Sequence, residues 1–157
     1  MNTVNFIPED EYARVLEVVP VLCVDVMLFN RKGECLLVKR TNEPLKGQWW
    51  VIGGRVHKGE TLSQAAIRKI REESGVNVSA VEPVGYYEEV AHINRFGSLI
   101  PLHAVSVVFT ATIDDSALIK LDDQSSEWKY STHIPDNFHI KPFPKPYPQE
   151  TIKQMEI

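Results

Sequence analysis

The stretch GGRVHKGETLSQAAIRKIREESGV, residues 53–76, brings together the residue types that could do chemistry in this chain. Gly53 and Gly54 lead through a lone Glu60 to Arg68, Lys69, Glu72 and Glu73. Adjacent carboxylates such as Glu72 and Glu73 repel unless a cation or a proton lies between them. A hard divalent cation prefers oxygen ligands, and Mg²⁺ commonly takes one or two carboxylates together with the phosphates of its substrate. Arg68 stands one helical turn before Glu72 and can fix its rotamer. The glycines let backbone approach a ligand and turn a carbonyl toward a metal. Glu60, near a helix start, is favoured by the helix dipole.

A plainer account of the same residues is a solvated helix face. Arg68 with Glu72 and Lys69 with Glu73 would then be surface pairs, each contributing about 0.3 kcal/mol. The paired glycines and Glu60 at fixed distances weigh against that account. On a helical wheel Ala66, Ile67 and Ile70 share one side and can face a core. Ala65, Arg68, Lys69, Glu72 and Glu73 share the other, where Ala65 leaves room beside the acids.

The elements that must position these residues follow from pattern. Residues 8–19 predict a short helix, with Pro8 and acids in its first turn and Tyr12, Val15 and Val19 at helical spacing. Apolar runs 21–29 and 35–40 around a glycine turn predict a hairpin. A Pro/Gly loop at 42–48 precedes a short strand, 49–52, that should stop at the glycines. The helix should run from about Leu62 to Ser74 with Gly75 as its C′ residue. Beyond it, 78–93 reads as a strand broken by Pro83, 94–98 as a loop, 103–113 as a central strand, 114–127 as a polar loop and 128–131 as a short strand. Prolines dominate from Pro135, so that segment should lie extended on the outside, with one or two helical turns at the very end. Strands on both sides of one well-marked helix predict an α+β layered domain, taken here as one unit over 1–157.

With 157 residues, 43% hydrophobic and 24% charged, the chain reads as an ordinary globular protein. A net charge of −4 argues against nucleic acid or an anionic membrane as the main partner. The N-terminus lacks a signal-peptide pattern, and no apolar run reaches membrane length. Cys23 and Cys35 read as buried thiols, and the expected location is the cytoplasm.

Gly54, Glu60, Arg68, Ile70, Glu72, Glu73, Gly75 and Val76 have the spacing of the Nudix box, and the chain resembles that family of Mg²⁺- or Mn²⁺-dependent hydrolases. One box glutamate is replaced by Lys69. The resemblance implies an α/β/α sandwich around a mixed sheet. Most of residues 8–131 is similar to the GDP-mannose mannosyl hydrolases, which release nucleoside diphosphate and free sugar. That resemblance implies metal contacts from the Gly53 carbonyl, Glu73 and Gln124, with Glu72 as a further acid. It also implies substrate contacts from Asp25, Arg40 and Arg55. Gly54, Glu60, Arg68 and Gly75 would shape the box. Two departures stand out: Ser125 follows Gln124 where that subfamily has a histidine, and both Glu72 and Glu73 are kept. Glu127 is a candidate base or third ligand.

The expectation is therefore a metal-dependent hydrolase of a nucleoside diphosphate sugar. The alternatives are a pyrophosphohydrolase cleaving the diphosphate of a related nucleotide, and a non-catalytic nucleotide-sugar-binding module. A homodimer is expected from the same resemblance and from the apolar N-terminal segment. His92 and His103 are further candidate bases, Phe96, Tyr86 and Tyr87 candidate stacking residues, and Asp122-Asp123 reads as a solvated turn. Lys69 should occupy the space of a second or third metal, leaving fewer bound cations.

Overall fold

The structure is a computed structural model and describes residues 7–43 and 45–138. Its elements are α1 (Glu9–Val18), β1 (Val21–Phe29), β2 (Cys35–Arg40), β3 (Trp49–Trp50), β4 (Ile52–Arg55), α2 (Leu62–Ser74), β5 (Glu82–Arg95), β6 (Ser98–Thr112) and β7 (Ser125–Ser131). The strands form a mixed sheet in the order β3-β2-β1-β6-β5, with β4 also on β1 and β7 on β2. Among the named strands β1 and β6 run parallel and the other pairs antiparallel; the parallel ladder extends from Val21 opposite Ala104 to Phe29 opposite Thr112.

Side chains alternate across this sheet and define its two layers. Val24, Val26 and Leu28 of β1 pack with Leu36, Phe109 and the buried side of α2, including Ala65, Ala66 and Ile70. Met27 and Phe29 face the opposite way, into a cluster with Leu37, Trp49, Trp50, Tyr87 and Phe138. On that second face α1 lays Tyr12 and Leu16 against Ile100, with Val21 and Leu102 alongside. One helix therefore covers each face of the mixed sheet, the α/β/α arrangement that the resemblance implied.

Four local expectations change. First, β4 continues through Gly53 and Gly54 to Arg55, because those residues pair with Asp25, Val24 and Cys23 of β1. Second, β5 begins at Glu82, and Pro83 is tolerated inside it. Among the described residues β5 is an edge strand with one side unpaired, and its register shifts between Pro83 and Gly85. Third, the expected 94–98 loop shrinks to Phe96-Gly97, both at positive φ (53° and 72°), with Arg95 opposite Ser98. Two positive φ values in a row make the tight turn that suits the twist of a hairpin. Fourth, β7 starts at Ser125, within the expected polar loop, since it pairs along β2 from Arg40 to Cys35.

Phe138, from the proline-rich segment expected outside, is buried and stacks at 4.7 Å on Trp50. The expected terminal helical turns lie outside the described residues. Cys23 and Cys35 are both free thiols, and burial pushes each up to about 12.

Candidate active site

The start of α2 is fixed by its own sequence. Thr61 accepts from the Gln64 N–H and the Gln64 side chain accepts from the Thr61 N–H, a reciprocal capping box. Gly75 closes the helix in the left-handed conformation, with φ 71°. Within this frame Arg68 is the tie. Its Nε and Nη2 donate to the two oxygens of Glu60 at 3.0 and 2.7 Å. Its Nη1 reaches Glu72 at 3.0 Å, and Nη2 also donates to the Arg55 carbonyl at 2.9 Å. Glu60 accepts in addition from the His57 N–H. The Arg68 fork holds the Glu60 carboxyl below its ordinary range. Glu60 and Arg68 thus anchor α2 to the end of β4.

Lys69 and Glu73 are buried, so they are not the solvated pair of the plainer account. The Lys69 Nζ lies 2.7 Å from Glu73 and 3.4 Å from Glu72. Burial pushes the Glu73 carboxyl up to about 7, against the opposing pull of Lys69 and a backbone hydrogen bond from Gly53. Asp122 adds negative charge here: it raises Glu73, and it feels both Lys69 and Glu72. The sequence reading placed Asp122 on a solvated turn. The structure corrects that by folding the loop before β7 back over the end of α2, where the Lys120 N–H donates to the Ser74 carbonyl at 2.9 Å.

The two glycines have separate steric reasons. A Cβ on Gly53 would lie 2.1 Å from the Asp25 carboxylate and 2.7 Å from the Val24 carbonyl. A Cβ on Gly54 would meet the Lys69 Cε at 2.8 Å. Gly53 is therefore where the two faces meet: its N–H serves Glu73 while its open side faces Asp25.

Asp25 is buried on the Trp50 face and accepts from the Tyr87 hydroxyl at 2.7 Å and the Trp50 Nε1 at 3.3 Å. Nothing local in the sequence marks these donors, because they come from β3 and β5. Arg40 is half-buried and feels the charges of Glu73, Arg95 and Asp25. Arg55 lies across the Tyr12 ring at 3.9 Å. Gln124 is exposed, with its backbone held by Asp122 and Thr41. The structure does not bring Glu127 to the α2 acids. It is exposed, pairs with Lys39 at 3.0 Å, and points with Lys39 to the Trp49 face. His92 is exposed on β5, and His103 stands 3.7 Å from Glu88.

Among the described residues no group of three or more His, Cys, Asp or Glu side chains forms a ready cage for a metal. The donor set instead suits a cation that arrives with phosphates. Glu72 and Glu73 offer two carboxylates, and Lys69 already fills one cationic position between them.

The sequence model of the NUDIX domain matches residues 19–149. The chain belongs to the NUDIX family. It is 36% identical over 123 residues to the low-salt glycan biosynthesis protein Agl8 of Haloferax volcanii, covering 78% of each chain. It is 32% identical over 104 residues to an ADP-ribose pyrophosphatase of Methanocaldococcus jannaschii, covering 66% of this chain and 57% of that protein. Among solved structures, the NUDIX domain of Shewanella oneidensis NrtR complexed with ADP ribose matches with TM-score 0.56 and 25% identity, over 79% of this chain and 82% of that one. A MutT NUDIX hydrolase from Burkholderia pseudomallei shares the fold, with TM-score 0.61 at 22% identity, over 87% of this chain and 96% of that chain.

Proposed function

We propose that this Nudix hydrolase acts on a nucleoside diphosphate sugar of the GDP-mannose type, releasing nucleoside diphosphate and sugar. The observation that carries the reading is the meeting at Gly53 of a buried acid, Glu73, and a buried carboxylate, Asp25, with Arg40 sensing both. A dianionic diphosphate needs cations on its departing side, and guanidinium forks stay charged and bind such groups bidentately. In this reading Arg40 and Arg55 bind the diphosphate and stabilise the leaving charge. Asp25, held rigid by Tyr87 and Trp50, positions the sugar side. Glu72, Glu73, the Gly53 carbonyl and Gln124 hold one Mg²⁺ or Mn²⁺. When bound, that ion neutralises phosphate charge and polarises the bond to be broken. Arg68 and Glu60 keep Glu72 and β4 in place. The sugar-related name of the Haloferax relative supports the sugar nucleotide.

A second reading, hydrolysis within the diphosphate, is supported by the presence of both Glu72 and Glu73 and by the ADP-ribose pyrophosphatase relative. Turnover of a nucleotide-sugar panel with Mg²⁺ in ¹⁸O water separates the two. Label in the free sugar supports the first, and label in a phosphate product supports the second. No metal-dependent turnover at all would leave the binding module.

The apolar residues Val18, Val19 and Leu22, all exposed at the junction of α1 and β1, support a homodimer. Light scattering at micromolar concentration should give twice the chain mass, and a monomer overturns it. No helix among the described residues is long and apolar enough to cross a membrane. Two free thiols support a reducing, cytoplasmic setting.

A further inference from the structure

The hairpin of β5 and β6 runs past the start of β1, since Val21 is opposite Ala104 while the hairpin continues to Arg95 and Ser98. This projecting arm is covered by α1. At its tip Phe96 holds a positive φ, uncommon for a residue with a side chain. Its ring stands edge-on to Tyr12 at 6.1 Å. Backbone held in such a conformation persists where its surroundings fix it, and it often marks a functional position. Here it fixes the neighbouring Arg95, whose guanidinium lies 5.0 Å from the Phe96 ring and 5.2 Å from the Tyr12 ring. Arg55 shares the same Tyr12 ring from β4. The Arg95 charge also acts on Arg40.

Two strands and one helix have thus been spent on holding cations near one another. Among the described residues neither Arg55 nor Arg95 has a carboxylate within ion-pair distance. Two guanidiniums gathered on one aromatic platform without an ion pair of their own are stabilised when an anion joins them, although Asp25 and Glu89 also act on this face of the sheet. By strand alternation Arg55, Cys23 and Asp25 face one side of the sheet, and Arg95 shares that side with Tyr87. Arg55 and Arg95 therefore lie on the face of the sheet that also carries Asp25.

We propose that Arg95, seated on Tyr12 and Phe96 beside Arg55, is a substrate-binding residue that grips the diphosphate of the nucleotide. The proposal rests on the reading of the site as one for a nucleoside diphosphate compound and adds the residue that binds its diphosphate directly, independent of metal. Tyr12 is the positioning residue, since its ring carries both guanidiniums.

The test is titration of the full chain with inorganic pyrophosphate in EDTA, followed by calorimetry. Wild-type protein should bind, and Arg95→Ala should weaken binding about tenfold or more, the loss of a charge-assisted hydrogen-bonded contact. Arg95→Lys keeps the charge without the fork and should fall between them, and it stands in if the alanine variant fails to fold. Tyr12→Phe should bind like wild type and Tyr12→Leu should not. Absence of pyrophosphate binding by the wild type, or Arg95 variants that bind as it does, overturns the proposal. The nucleotide-sugar reading falls separately, on absence of metal-dependent turnover, whatever the pyrophosphate titration gives.

Discussion

The charges on α2 and those around Tyr12 are organised in opposite ways. At α2 the box acids have internal partners: Glu60, just before the helix, and Glu72 have Arg68, and Glu73 has Lys69. Around Tyr12, Arg55 and Arg95 share an aromatic ring and have no carboxylate partner among the described residues. The first cluster can fold without a ligand, because buried charges are paired. The second holds two guanidiniums without an ion pair among the described residues, which a phosphate group can join. Between them lies Gly53, beside both Glu73 and Asp25. Under the proposed function the two sides divide the work, the helix side holding a cation that comes with substrate and the Tyr12 side the substrate's own anion.

The largest expected effect breaks the helix side. Glu73→Gln should lower metal-dependent turnover by roughly three orders of magnitude, about 4 kcal/mol of lost stabilisation, with circular dichroism unchanged. Full turnover in a folded variant would remove Glu73 from the site. Next is the junction itself. Gly53→Ala drives a methyl into the Asp25 carboxylate and the Val24 carbonyl. It should cost about 3 kcal/mol of stability, read as a lowered urea midpoint at unchanged slope.

Third, Glu60→Gln removes the carboxylate that the Arg68 fork grips, at a cost of about 2 kcal/mol near neutral pH. The Glu60 pKa is lowered by folding, so its contribution is present above the ordinary glutamate value of 4.5 and fades as pH falls through the folded value. The stability difference between wild type and variant should therefore shrink on acidification. A difference constant from pH 7 to pH 3 would show that the pair contributes by shape alone.

The smallest effect sharpens the comparison by removing the internal answer. Lys69→Glu should tighten Mn²⁺ binding about tenfold, or raise its stoichiometry above one, since the ammonium no longer fills a cationic position. Titration calorimetry or paramagnetic relaxation reads it. Unchanged affinity and stoichiometry would make Lys69 a structural ion pair only.

Much of the helix side was legible in the sequence because its logic is local. Helical spacing alone couples Arg68 to Glu72 and Lys69 to Glu73, and Gly75 ends the helix for a backbone reason. The Nudix box extends that to Glu60 and Gly54, which lie within the same short stretch. The resemblance also named Asp25, Arg40 and Arg55, which come from β1, β2 and β4.

What the sequence by itself determined is thus the order of the elements and the box, with the family and its α/β/α layering following from the resemblance that the box carries. Periodicity, capping and spacing are properties of neighbours along the chain. Only the tertiary structure decided that Lys69 is buried against Gly54, that Asp122 joins the acids, that Glu127 faces away with Lys39, and that Arg95 lies across Tyr12. Each depends on strand register or on a tight turn that joins residues far apart in sequence. A shift of one residue would send those side chains to the other face, and no local pattern records which face a distant partner occupies.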